Sequence, residues 1–111
     1  MPKSPAFIRI KADVLAIVSA IPEGRFTTFA AIGRHLDVMP RHVAYILASL
    51  DDHERRDLPW HRVLAEGGKI SKTRLETRGR EQLERLRAEG LRFDRSLAVE
   101  DPGRASWSPE D

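Results

Sequence analysis

Two apolar-faced stretches separated by only three residues constrain this chain more than any other feature. Phe29, Ile32 and Leu36 fall on one helical face, Asp37-Val38-Met39 makes a connection, and Val43, Ile46, Leu47 and Leu50 resume a helical face behind Pro40. Thr27 or Thr28 offers a side-chain oxygen to cap the first stretch, and Pro40 stands where a first-turn proline belongs. Two short helices joined this closely form a helix-turn-helix.

The flanking sequence builds a module around that pair. Phe7, Ile10, Val14, Ile17, Val18 and Ile21 recur at helical spacing, so a helix is expected from about Ala6 to Ala20, ended by Ile21-Pro22-Glu23-Gly24. Asp51 to Asp57 reads as a polar loop. After it, Trp60 to Leu64 and Lys69-Ile70-Ser71 flank Glu66-Gly67-Gly68 as two short strands around a glycine turn. Arg78 to Gly90 is a further amphipathic helix with Leu83 and Leu86 inward and Gly90 at its stop. The expected architecture is mainly α with a small β-hairpin wing, a winged helix-turn-helix. With 111 residues the chain suits one core, so residues 1–111 are expected as a single domain whose residues 91–111 form an irregular tail.

Several chemistries are excluded by what the chain lacks. It has no cysteine, which removes disulfides, thiolate metal ligands and every cysteine-nucleophile mechanism together. His35, His42, His53 and His61 show no metal-ligand spacing, and no glycine-rich phosphate loop is present. Neither a metal nor a cofactor is expected. No long apolar run precedes Phe7, so a cytoplasmic protein without a membrane role is the default. Nineteen Lys and Arg against seventeen acids give a net charge of +2, a mild basic bias compatible with nucleic-acid binding.

At Pro59-Trp60-His61-Arg62-Val63 the chain resembles the Pro-Cys-His-Arg-Val motif of DNA alkylguanine alkyltransferases, with Trp in place of Cys, the signature of alkyltransferase-like proteins. The resemblance runs from Phe7 to Phe93. It includes Ile21 to Phe29, Met39-Pro40, Gly68 to Lys72 and the closing helix from Arg85 to Leu91, and the late Trp107 matches as well. In the full enzymes the cysteine takes the alkyl group from guanine. The resemblance therefore implies a protein that is not an enzyme: it binds O6-alkylguanine in duplex DNA through the minor groove, turns the base out of the stack, and flags it for nucleotide excision repair proteins, acting as a monomer. The lesion pocket it implies comprises Trp60, Phe29, His61, Arg62 and Ser71. The DNA-binding residues it implies are Arg25, Thr28, Arg34, Pro40, Arg41, Ala44, Tyr45 and Lys72.

Each of these residues also has a plainer role. Trp60 and Phe29 suit a core, His61 and Arg62 a structural polar network, Ser71 a turn, and the cations a solvated surface. Three positions depart from the family pattern on the DNA-handling side. Phe29 keeps a ring where the family has Tyr, Ala44 stands at the place of the intercalating Arg, and Leu47 replaces a Gly. Arg41 and Tyr45 are the planar side chains nearest to that gap. A winged-helix protein that binds undamaged DNA or acts in regulation, and a protein-interaction module without DNA binding, stay open beside lesion recognition.

Overall fold

A computed structural model describes residues 4–70 and 78–109. Helix α1 spans Pro5–Ala20, begun by Ser4, whose hydroxyl accepts from the Phe7 amide at 3.1 Å. Strand β1 (Thr27–Thr28) leads directly into α2 (Phe29–Leu36), and of the two threonines it is Thr28 that caps, its hydroxyl accepting from the Ala31 amide. Helix α3 (Pro40–Ala48) starts with Pro40 in its first turn, as the sequence predicts. The turn between α2 and α3 depends on Gly33. A Cβ there would lie 2.6 Å from the Val38 carbonyl oxygen, while Asp37 adopts the left-handed conformation at φ 58° and the Val38 amide donates back to the Gly33 carbonyl.

Beyond α3 the structure corrects two expectations. Asp51 to Asp57 is no loop but holds α4 (Asp52–Asp57), initiated by a capping box in which Asp51 and Glu54 exchange side-chain to backbone bonds. The strand expected at Trp60 is instead a 3-10 turn (Trp60–Arg62), and only Val63–Leu64 extends, as β2. Strand β2 pairs in parallel with β1, Thr27 opposite Val63 and Thr28 opposite Leu64, so the two-stranded sheet joins distant segments. Among the described residues the wing is an antiparallel bridge between Ala65 and Lys69 around Gly67 and Gly68, both at positive φ, with Lys69 also bridging to Ala98. The architecture remains the mainly helical, winged-helix-like one.

Two cores divide the molecule. The first gathers Val14 and Val18 of α1, Ile32 of α2, Val43, Ile46 and Leu47 of α3, and Trp60 and Val63. The second gathers Phe26, Leu64, Ile70, Leu91 and Val99 with Leu83 and Leu86 of α5 (Arg78–Ala88). The adjacent residues Val63 and Leu64 thus serve different cores, as the alternation along a strand requires. Gly90, at φ 101°, stops α5; its amide donates to the Arg87 carbonyl, and the Leu91 amide to that of Leu86. Residues 91–109 carry little regular structure beyond α6 (Pro102–Ala105), yet they are packed. The Trp107 amide donates to the Phe26 carbonyl at 2.8 Å and its ring lies on the first core. Among the described residues no helix is long and apolar enough to cross a membrane.

Candidate functional site

The 3-10 turn presents Trp60, His61 and Arg62 in different directions, and two of the three go to one carboxylate. Arg62 grips Glu89 with two nitrogens, Nε to Oε1 at 3.0 Å and Nη2 to Oε2 at 2.8 Å, while its Nη1 donates to the Ile21 carbonyl. His61 Nε2 lies 2.7 Å from Glu89 Oε2, and the Gly24 amide donates to Oε1. Glu89 therefore fastens the end of α5 to the turn after α1 and to the Trp60–Arg62 segment.

The electrostatics of this clasp follow from its geometry. Burial alone would raise the Glu89 pKa, but the bonds from Arg62, His61 and the Gly24 amide outweigh it and hold the carboxyl at about 2. Burial lowers the His61 pKa, and the bond to Glu89 only partly offsets that effect. In the neutral ring the proton sits on Nε2, shared with Glu89, and Nδ1 is left as an acceptor without a partner. His61 and Arg62, which the resemblance places in the pocket, are thus turned away from it into a structural network.

On the opposite side lies a cavity of about 480 Å³. Phe29 of α2 and Ala44, Leu47 and Ala48 of α3 line one wall; Trp60, Arg55, Arg78 and Gln82 line the other. Trp60 is 7% exposed and its Nε1 is buried with no partner among the described residues. Arg55 is 8% exposed, and its guanidinium carbon lies 5.3 Å from the Trp60 ring centre. Its Nη2 donates to the carbonyls of Leu47 and Ala48 at the end of α3, whereas its Nε is buried and unpartnered. Burial, and then the nearby charge of Arg78, push the Arg55 pKa down. Gln82 fixes the floor by donating to the carbonyls of His61 and Val63.

The structure brings Trp60, Phe29 and Ala44 together at this cavity. Pro40, Arg41 and Tyr45 are exposed on α3. Tyr45 leans on Phe7 of α1 with ring centres 6.2 Å apart, while Ala44, one turn after Arg41, faces the cavity. Arg25 and Arg34 are exposed, Arg25 donating to the Arg104 carbonyl; Thr28 is committed to its cap. Ser71 and Lys72 lie outside the described residues.

Sequence reasoning missed Glu89 and Arg55. A signal for Glu89 existed, because an acid at the C-terminal end of a helix opposes the helix dipole unless a cation holds it. For Arg55 the Asp51 and Glu54 capping box would have revealed α4, though not that its arginine is buried.

Comparison with known proteins decides what kind of module this is. Residues 9–91 match the family model of the 6-O-methylguanine DNA methyltransferase DNA-binding domain. The chain belongs to this family. Within it, the alkyltransferase-like protein 1 of Schizosaccharomyces pombe is 32% identical over 75 residues, covering 67% of this chain and 68% of that one. A crystal structure of S. pombe Atl1 in complex with damaged DNA containing O6-carboxymethylguanine superposes with a TM-score of 0.77 and 26% identity, over 98% of this chain and all of that one. A second S. pombe structure, with DNA, has the same TM-score at 24% identity and supports the fold. With that relative 32% identical over two thirds of this chain, and with Trp60 inside the Pro59 to Val63 motif, the chain is alkyltransferase-like.

Proposed function

We propose that this chain is a non-enzymatic DNA-damage recognition protein. It binds O6-alkylguanine in duplex DNA by minor-groove contact, turns the base into the cavity beside Trp60, and marks the site for nucleotide excision repair proteins. The observation that carries this reading is the cavity itself: a buried Trp at the motif position leaves open space beside it instead of filling it. Phe29 and Trp60 supply aromatic surface for a flipped purine, beside the apolar Ala44, Leu47 and Ala48. Extrusion of a base costs a few kcal/mol, less when the lesion already weakens pairing, which favours modified over normal guanine. Without a cysteine no thiolate can accept the alkyl group, so the lesion stays on the DNA. The reading further includes a monomeric, cytoplasmic protein.

Titration of fluorescent duplexes differing only in guanine or O6-methylguanine tests it. Tighter binding of the lesion duplex, with Trp fluorescence quenched and a labelled alkyl group retained on the DNA, is the expected result. Equal binding of both duplexes would favour the second reading, a winged-helix protein that binds undamaged DNA. Ala44 speaks for that reading, since its methyl group cannot fill the gap a flipped base leaves in the stack.

A further inference from the structure

Resting on that lesion-binding role, we infer that Arg55 makes the cavity selective for guanine adducts whose free end is a carboxylate. Arg55 makes no ion pair within 4 Å among the described residues, and Asp52 and Glu81 act on it only from farther away. Arg55 is more than nine-tenths buried, and its described hydrogen bonds go to the peptide carbonyls of Leu47 and Ala48, which are dipoles and not ions. Arg85, also near the Trp60 ring at 5.7 Å, is by contrast neutralised by Glu81 at 2.8 Å. No Asp or Glu is found among the described residues lining the cavity, whereas Lys69 and Arg78 add two more cations at exposed positions. A buried guanidinium without a close partner ion is costly, and a ligand that brings a carboxylate into contact with it recovers part of that cost.

The location separates this role from ordinary phosphate binding. Phosphates stay on the outer backbone, where the exposed Lys69 and Arg78 can meet them. Arg55 lies deeper, against the face of Trp60, and its Nε has no partner. An O6 substituent is the part of a flipped guanine that extends beyond the ring into such a recess. A neutral alkyl end meets apolar atoms of Ala48 and Leu47 there; a carboxylate end meets, in addition, a donor that is already desolvated and held in place. Without this group the polyanionic duplex would disfavour an additional negative charge.

The test compares four duplexes that differ at one base: guanine, O6-methylguanine, O6-carboxymethylguanine and its neutral isostere, the O6-carbamoylmethyl amide. The acid should bind about tenfold more tightly than the amide, the effect of one charge-assisted bond. That ratio should persist from about 50 to about 200 mM salt, because a buried charge is weakly screened. Arg55→Met, which keeps the stem and removes the charge, should bring the acid-to-amide ratio to one, whatever it does to the affinity for both adducts. An amide bound as tightly as the acid by the unaltered protein overturns the inference, and this comparison needs no variant to fold. A preference that survives Arg55→Met, or that disappears with salt and with Arg78→Gln, overturns the assignment to Arg55. Failure of all three adducts to bind better than guanine is a different result, and it removes the lesion-binding role itself.

Discussion

The two sides of the Trp60–Arg62 turn are built to opposite standards. Toward Glu89, Arg62 and His61 share one carboxylate that also takes the Gly24 amide, and apart from His61 Nδ1 the polar atoms are matched. On the side of Arg55, Trp60 Nε1 and Arg55 Nε are buried with no described partner, and among the described residues Arg55 makes no ion pair within 4 Å. Polar groups buried without partners lower stability by about 1–3 kcal/mol each. A fold that satisfies one side and leaves the other open keeps its stabilising contacts apart from the proposed recognition surface, on the two sides of one three-residue turn.

The comparison can be broken first at Glu89. Glu89→Ala strands Arg62 and His61 and should lower stability by about 3–5 kcal/mol in urea unfolding, as removal of one partner from a buried pair does. A loss below about 1 kcal/mol would show that the clasp is not what holds α5 in place. Acid attacks the same side more gently. The Glu89 carboxyl is held at about 2 when folded against an ordinary 4.5, so its stabilisation is complete above pH 4.5 and is lost as pH falls toward 2. The amount is on the order of 3 kcal/mol. His61 acts with the same sign. Its folded pKa lies below 6.5, so the unfolded state gains the proton first and stability begins to fall as pH drops through 6.5. Thermal melts of the unaltered protein and of Glu89→Gln should therefore converge at low pH.

The open side is sharpened by variants at exposed positions of α3. Arg41→Ala should weaken binding to an O6-methylguanine duplex by about 1 kcal/mol more than binding to undamaged DNA, if the side chain one turn before Ala44 fills the vacated stack. An equal loss on both, with a shallower salt dependence, would assign Arg41 to the phosphates. The smallest effect belongs to Tyr45→Ala. Its edge contact with Phe7 should cost about 0.5–1 kcal/mol of stability, with lesion selectivity unchanged.

What the sequence revealed follows the range of the forces involved. Helices α1, α2, α3 and α5 were legible because their apolar faces, Thr28, Pro40 and Gly90 are local signals. Helix α4 was not, since six polar residues show no apolar face, and only the Asp51 and Glu54 pair marks it. The parallel pairing of Thr27 with Val63 was hidden because nothing in either dipeptide names its partner. At the site, the aromatic pair Trp60 and Phe29 could be found through the motif. Arg55 and Glu89 could not, because in a charged run a buried ion and a solvated one look alike until tertiary packing separates them.

Glu89 also bears on how the chain assembles. Its contacts reach back 65 residues to Gly24 and 28 and 27 residues to His61 and Arg62, so they close only after distant segments have met. Such non-local bonds reward folding late, after the local turn between α2 and α3 has formed. The clasp should then act chiefly on the rate of unfolding: its loss would shorten the lifetime of the native state while leaving the speed of refolding nearly as it was.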